Sequence, residues 1–240
     1  MRTRSLWPRE HGAYFQLAVP LGAACVRHPS RAGLALAAAA IFGFLAHEPL
    51  LVLLGHRGPR LLAAQGKSAR TRFLVLVAGA VVLGGAALVM APAVLPIAGC
   101  VAVVAVVALA LGSRGELHTV GGELVATVAL TSACAPVLVA GGVLAIAALG
   151  TWIAWAAGFC ATVVAVHRVI ARHKHGAAII DRVLAVGFAG ATVVAASASP
   201  AMAPLAGIAA LLVIAPPRAS HLRAVGIAIV VAAVAGAALV

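Results

Sequence analysis

The sequence predicts an all-α polytopic membrane protein with about nine transmembrane helices, and three observations carry that prediction. The 240 residues are 64% hydrophobic and only 9% charged, whereas about a quarter of a soluble domain is charged. The apolar residues come in runs of about 20, the length that crosses ~30 Å of hydrocarbon as a helix. Basic residues punctuate those runs on alternate sides, as the positive-inside rule requires of a multi-span chain.

The spans expected from hydropathy and breakers lie at about 12–26, 32–54, 73–91, 94–112, 121–140, 143–166, 183–199, 201–215 and 224–240. Pro29, Pro59, Pro92, Pro200 and Pro216–Pro217 sit where helices should stop or restart. Pro49 falls inside the second span and is expected to kink it just after Glu48. Gly141–Gly142 separates the fifth and sixth spans without any charge. The opening MRTRSLWPREHG has the basic start of a signal peptide, but the run after it is short and leads straight into RHPSR. The first helix is therefore expected to stay in the mature protein. Stretches such as AGAVVLGGAA (78–87) suit close packing of membrane helices. Cys25, Cys100, Cys134 and Cys160 lie in apolar runs without CxxC spacing and read as small packing residues.

Nine spans put the N-terminus and the loops after the second, fourth, sixth and eighth spans on one side. Of the 17 basic residues only Arg27 and Arg31 fall on the other side. The basic side is cytoplasmic by the positive-inside rule, and the C-terminus lies outside. A count of eight or ten spans breaks this segregation. The net charge of +12 then follows from topology and points away from nucleic acid, for which there is no soluble domain. All five acids lie on the basic side or within about two helical turns of it. So do the histidines, His28 excepted. The rule concerns Lys and Arg and does not demand this. One face thus gathers the groups capable of chemistry.

Those groups sit in four polar islands. PREHGAY (8–14) carries Glu10 and His11, and residues 46–72 carry His47, Glu48, Arg57 and Arg60. SRGELHTVGGE (113–123) carries Arg114, His118 and Glu123; residues 165–182 carry His167, Arg168, Arg172 and Lys174. A carboxylate at membrane depth is expensive and is normally paired or lines a polar cavity. Glu48 and Glu123 can each be a metal ligand, a proton acceptor, an anchor for an arginine, or half of a structural Arg–Glu or His–Glu pair. His47–Glu48 begins like the zinc motif HExxH, but Leu51 stands where the second histidine belongs. His11, His47, His118, His167, His173 and His175 offer imidazole for a metal or haem. Histidines in a basic juxtamembrane loop also meet headgroups or water. The arginines could grip a phosphate through bidentate contacts, or serve topology and anionic lipid heads. Trp7 and Tyr14 fit an interfacial aromatic belt, and Trp152 and Trp155 share a helix face.

PREHGAYFQLAVP (8–20) is similar to the P-x-E/Q-H-G-A-W-x-x-x-x-x-P opening of the YwiC-like family of bacterial membrane proteins, with Tyr14 where that pattern has Trp. The whole plan resembles the UbiA-type intramembrane prenyltransferases, with long polar loops after the second and sixth helices and a cytoplasmic site. GELVATVALTSACAPVLVAGG (122–142) looks like the stretch that opens their fifth helix. HRVIARHKHGAAIIDRVLAV (167–186) sits where they carry a second aspartate-rich motif. The resemblance implies a UbiA-like bundle, a multi-pass protein of the bacterial inner membrane, and a polyprenyl diphosphate as ligand. UbiA-type enzymes hold paired Mg²⁺ ions through NxxxDxxxD-type motifs. Here the first island has Glu48 and no aspartate, and His167, Arg168 and Arg172 stand where acids are expected. Mg²⁺ wants hard oxygen ligands, so the diphosphate charge would be met directly by Arg, Lys and His.

Two functions follow as expectations. In the first, a transferase acts on a polyprenyl or other lipid (di)phosphate at the cytoplasmic face. Arg57, Arg60, Arg114, His118, His167, Arg168, Arg172, Lys174, Glu10 and His11 bind the headgroup, while Glu48, Glu123 and His47 orient or deprotonate an acceptor. In the second there is no catalysis, and the histidines of the same face hold quinone, haem or a metal. Transport fits less well, because almost nothing polar lies toward the outer side. Membrane lipids surround the protein in every case.

Overall fold

The computed structural model describes residues 11–116, 119–175, 203–214 and 221–239, with the single positions 183, 186, 187, 190 and 217. Most of the expected seventh span (183–199) lies outside the described residues. The helices are α1 His11–Arg27, α2 Arg31–Leu53, α3 Pro59–Met90, α4 Leu95–Ser113, α5 Val120–Ser132, α6 Cys134–Ala140, α7 Ala145–His175, α8 Ala203–Ile214 and α9 Leu222–Leu239. Five stretches are long and apolar enough to cross a membrane: Arg31–Leu53, Pro59–Met90, Pro92–Ser113, Val120–Ala140 and Ala145–Ile170. α8 and α9 are apolar but shorter. The described residues contain no strand.

Two helices run further than hydropathy suggests. α3 begins at Pro59, inside the first long island, and its 32 residues extend ~48 Å at 1.5 Å each. That exceeds the ~30 Å of a hydrocarbon core. The island segment RLLAAQGKSARTR is built from strong helix formers, and Pro59 occupies a position where a helix tolerates a missing N–H. α7 likewise carries the second island in helix through His175, where the described residues of this stretch end, and no Gly or Pro falls between Ala165 and His175. In their described residues both islands are therefore largely helical extensions rather than loops.

The fifth expected span is broken instead. Pro136 cannot donate to the Ser132 carbonyl and its ring crowds that group, so α5 ends at Ser132 and α6 starts at Cys134. α2, by contrast, continues through Pro49.

Two turns use one device. After α2, Gly55 has φ +79°, its N–H donates to Val52 O, and His56 N–H donates to Leu51 O. After α6, Gly142 has φ +90°, with Gly142 N–H to Val139 O and Val143 N–H to Leu138 O. This paired closure is the Schellman motif, which satisfies the last carbonyls of a helix and favours glycine at the left-handed position. It explains how an uncharged Gly-Gly stops a helix inside an apolar region. Gly141 has a second constraint, since a methyl there would lie 2.5 Å from the His28 carbonyl oxygen. Gly142→Ala is expected to cost about 1–2 kcal/mol from the left-handed backbone. Gly141→Ala is expected to cost more, because a backbone atom cannot rotate aside; unfolding in detergent micelles orders the two.

α2 and α3 form an antiparallel hairpin whose closeness depends on Gly79, where a methyl would meet the Phe42 ring at 2.6 Å. Gly33 lets α2 approach Val137 on α6, and Ser30 caps α2 by accepting from Gly33 N–H at 2.9 Å. The core contains Trp155 stacked on Phe159, with Leu205, Val137 and Val94. Trp152 donates its indole N–H to Val128 O at 3.1 Å and ties α7 to α5. α1 touches α2, α5, α6, α7 and α9. α3 and α4 expose Val75, Val81, Val82, Val103 and Val106, a surface suited to lipid.

Candidate functional site

One end of the bundle collects the start of α1, the end of α2, the starts of α5 and α9, and the end of α7. On the α2 side, Arg57 in the α2–α3 turn reaches back to Glu48. Its Nε donates to Oε1 at 2.9 Å and its Nη2 to Oε2 at 2.7 Å. The fork is bidentate, the strongest form of the Arg–carboxylate pair. Glu48 is buried, while Arg57 keeps 29% of its side-chain surface. Tyr14 packs edge-on against Phe44 at 5.0 Å and lies within electrostatic reach of both Glu48 and Arg72. Tyr14 is half-buried, with its ring against α2.

On the other side of α1, His167 Nε2 contacts Glu123 Oε2 at 2.8 Å. An ionised carboxylate only accepts, so the imidazole donates. Thr119 caps α5, accepting from Gly122 N–H at 3.0 Å and donating to Glu116 O at 2.7 Å. This places Glu123 in the first turn of α5, where the helix dipole favours negative charge. Both side chains stay partly open to solvent, at 28% for His167 and 41% for Glu123.

A cavity of about 650 Å³ lies beside this pair, walled by α1, α5, α7 and α9. Helix spacing arranges its lining in layers. Glu123, Val166 and Arg223 lie nearest the helix ends, Thr127 and Thr162 one turn deeper, and Leu130 and Phe159 about another turn in. Gln16 adds an amide from α1. Among the described residues the rest of the wall is apolar. Phe15, Ile227 and Val231 line the cavity and are exposed.

The other sequence-derived candidates are scattered. Arg60, in the first turn of α3, and Arg114, at the C-cap of α4, are exposed. His47 sits beside Glu48 on α2 and is half-buried. Arg168 follows His167, and its Nε and Nη1 are buried without a hydrogen-bond partner among the described residues. Arg172, His173, Lys174 and His175 lie in the last turns of α7, and His11 opens α1; their side chains are outside the described set. So are residues Glu10 and His118. Among the described residues no three His, Cys, Asp or Glu side chains come together as a metal site. Cys25, Cys100, Cys134 and Cys160 are free thiols.

Arg223, Gln16, Thr127 and Thr162 did not stand out in the sequence. Arg223 counted only as a topological charge, yet Arg223, Gly226 and Val230 recur at helical spacing on the cavity side of α9. That periodicity was the available signal.

No curated protein and no solved structure matches the chain. The family profile described as YwiC-like protein matches residues 7–138. That interval takes in α1 through α5 and most of α6, and with them Gln16, Glu48, Arg57, Glu123 and Thr127. The match covers more than half of the 240 residues, and the chain belongs to the YwiC-like family.

Proposed function

We propose that the protein is a multi-pass enzyme of the bacterial inner membrane that binds a polyprenyl or other lipid (di)phosphate at its cytoplasmic face and transfers the lipid group to an acceptor. The observation that carries this reading is the cavity: a polar rim of Glu123, Arg223 and Gln16 above a largely apolar wall. A volume of about 650 Å³ falls within the range of small-molecule sites. Its amphipathic layering matches a ligand with a charged head and a hydrocarbon tail.

In this reading Arg223 meets the anionic head, with the guanidinium of Arg168 and the α7 cations Arg172 and Lys174 near by in sequence. The Glu123–His167 pair orients the acceptor and takes its proton, since a carboxylate beside an imidazole forms a usable general base. Glu48 is the less available base, because Arg57 occupies both of its oxygens. The UbiA-like arrangement inferred from the islands supports the same chemistry without an aspartate-held Mg²⁺ pair.

The test is binding of a polyprenyl diphosphate to the purified protein, with and without EDTA. Saturable binding that survives EDTA is expected. Absence of binding in both conditions overturns the proposal, and binding lost with EDTA overturns the metal-free headgroup site.

A further inference from the structure

Arg168 is a cation for which the described residues supply no partner. Its Nε and Nη1 are buried, and among the described residues neither donates a hydrogen bond. The ion pairs formed there leave it out, since Arg57 holds Glu48 and His167 meets Glu123. A guanidinium stays charged in a protein, so Arg168 cannot escape the cost of burial by losing a proton. A buried charge with no partner is expensive.

Its place on α7 separates Arg168 from the cavity. α7 lines that space with Phe159, Thr162, Val163 and Val166, and at about 100° per residue Arg168 falls on the nearly opposite side of the helix. Ala161 and Ala165 share the side of Arg168, and both are buried. Ala165 packs with Leu212 of α8 and Val225 of α9. Arg168 therefore lies about one turn beyond that contact, toward the end of α7. The helices that meet there offer no anion: α7 and α9 contain no acidic residue, and α8 is wholly apolar. The start of α9 brings a second cation instead, Arg223.

We infer that Arg168 belongs to a second site, on the α8 side of α7, that takes a phosphate group. A guanidinium presents its N–H donors in a fixed fork that matches phosphate oxygens. Phosphate is also the anion that gathers at a basic membrane face. It has two sources, the headgroup of an anionic phospholipid and free phosphate from the water. The site does not rest on the transfer reading above, whose cavity lies across α7.

The experiment follows thermal unfolding of the delipidated full chain in maltoside micelles at constant ionic strength. The probes are inorganic phosphate and dioleoyl-phosphatidylglycerol, each titrated separately. A saturable rise in the midpoint of about 2–10 °C is expected. A rise with inorganic phosphate marks an anion reached from water, and a rise with phosphatidylglycerol alone marks a headgroup. Arg168→Met keeps the stem and removes the guanidinium, and its apparent affinity for the active probe is expected to fall at least roughly tenfold. With no probe present, Arg168→Met is expected to unfold no earlier than the unmodified protein, because the charge it removes had no partner. No rise with either probe overturns the inference. An equal rise in Arg168→Met overturns it too and places the phosphate elsewhere, the cavity included. Earlier unfolding of Arg168→Met with no probe present also overturns it, by showing a partner within the chain. Asp181 lies outside the described residues, and equally early unfolding of Asp181→Asn would name it as that partner.

Discussion

Arg57→Ala is expected to destabilise the protein by about 3 kcal/mol, the low end of the range for breaking a buried ion pair. The low end applies because Arg57 retains 29% of its side-chain surface, whereas Glu48 is buried with 4% exposed. Without the guanidinium, both Glu48 oxygens lose their donors, and the carboxylate must be neutralised or left unsolvated. Arg57→Lys is expected to recover only part of the loss, since an ammonium cannot reproduce the two-pronged contact. Adding Glu48→Gln to Arg57→Ala should restore stability relative to Arg57→Ala alone, because the charge needing a partner is gone. Denaturant unfolding in mixed micelles measures the series. An Arg57→Ala protein that unfolds at the unmodified midpoint would show that the fork does not hold the α2–α3 turn.

Glu123→Gln is expected to lower diphosphate release from a polyprenyl diphosphate by about 10²- to 10⁴-fold, the usual share of a general acid or base. Affinity for the lipid should change little, since the amide keeps the size of the carboxylate and Arg223 still faces the cavity. The expected split is a fall in kcat with KM nearly constant. Glu48→Gln serves as the contrast: its effect should appear in the unfolding midpoint and not in turnover per folded molecule. Equal turnover in Glu123→Gln and the unmodified protein would remove Glu123 from the chemistry.

The membrane class was legible because hydropathy reports it directly, and helix ends were legible wherever a proline or glycine marks them. Span 12–26 became His11–Arg27 and span 32–54 became Arg31–Leu53. Polarity misled where it was taken for loop structure. Residues 60–72 are charged but rich in Leu, Ala, Arg and Lys, and propensity kept them helical, while 167–175 carry no Gly or Pro and continue α7. Pro136 was passed over because hydropathy is blind to a single missing N–H in an apolar run.

Site chemistry was legible by type and not by partner. The carboxylates Glu48 and Glu123 and the expectation of Arg–Glu or His–Glu pairing came from the price of charge in lipid. That Glu48 takes Arg57 depends on a five-residue turn and the two positive-φ glycines within it, Gly55 and Gly58. That Glu123 meets His167 depends on the register of α5 against α7, 44 residues apart. The cavity itself left little trace. Small residues such as Gly12, Ala13, Ala126 and Gly226 line it, and in a membrane helix the same residues usually signal contact instead of space.

The helix that opens the described chain and the one that closes it are neighbours. α1 packs on α9, and Arg27 Nη2 donates to the Ala238 carbonyl at 2.8 Å across 211 residues of sequence. Ribosomes deliver α1 well before α9. α1 must therefore wait in the bilayer with one flank against lipid while everything between is inserted. The cavity has no fourth wall until α9 arrives, so a nascent chain stalled after α7 would already hold Glu123 and His167 but would enclose nothing. The cavity ligand proposed above could therefore be enclosed only once α9 is in place.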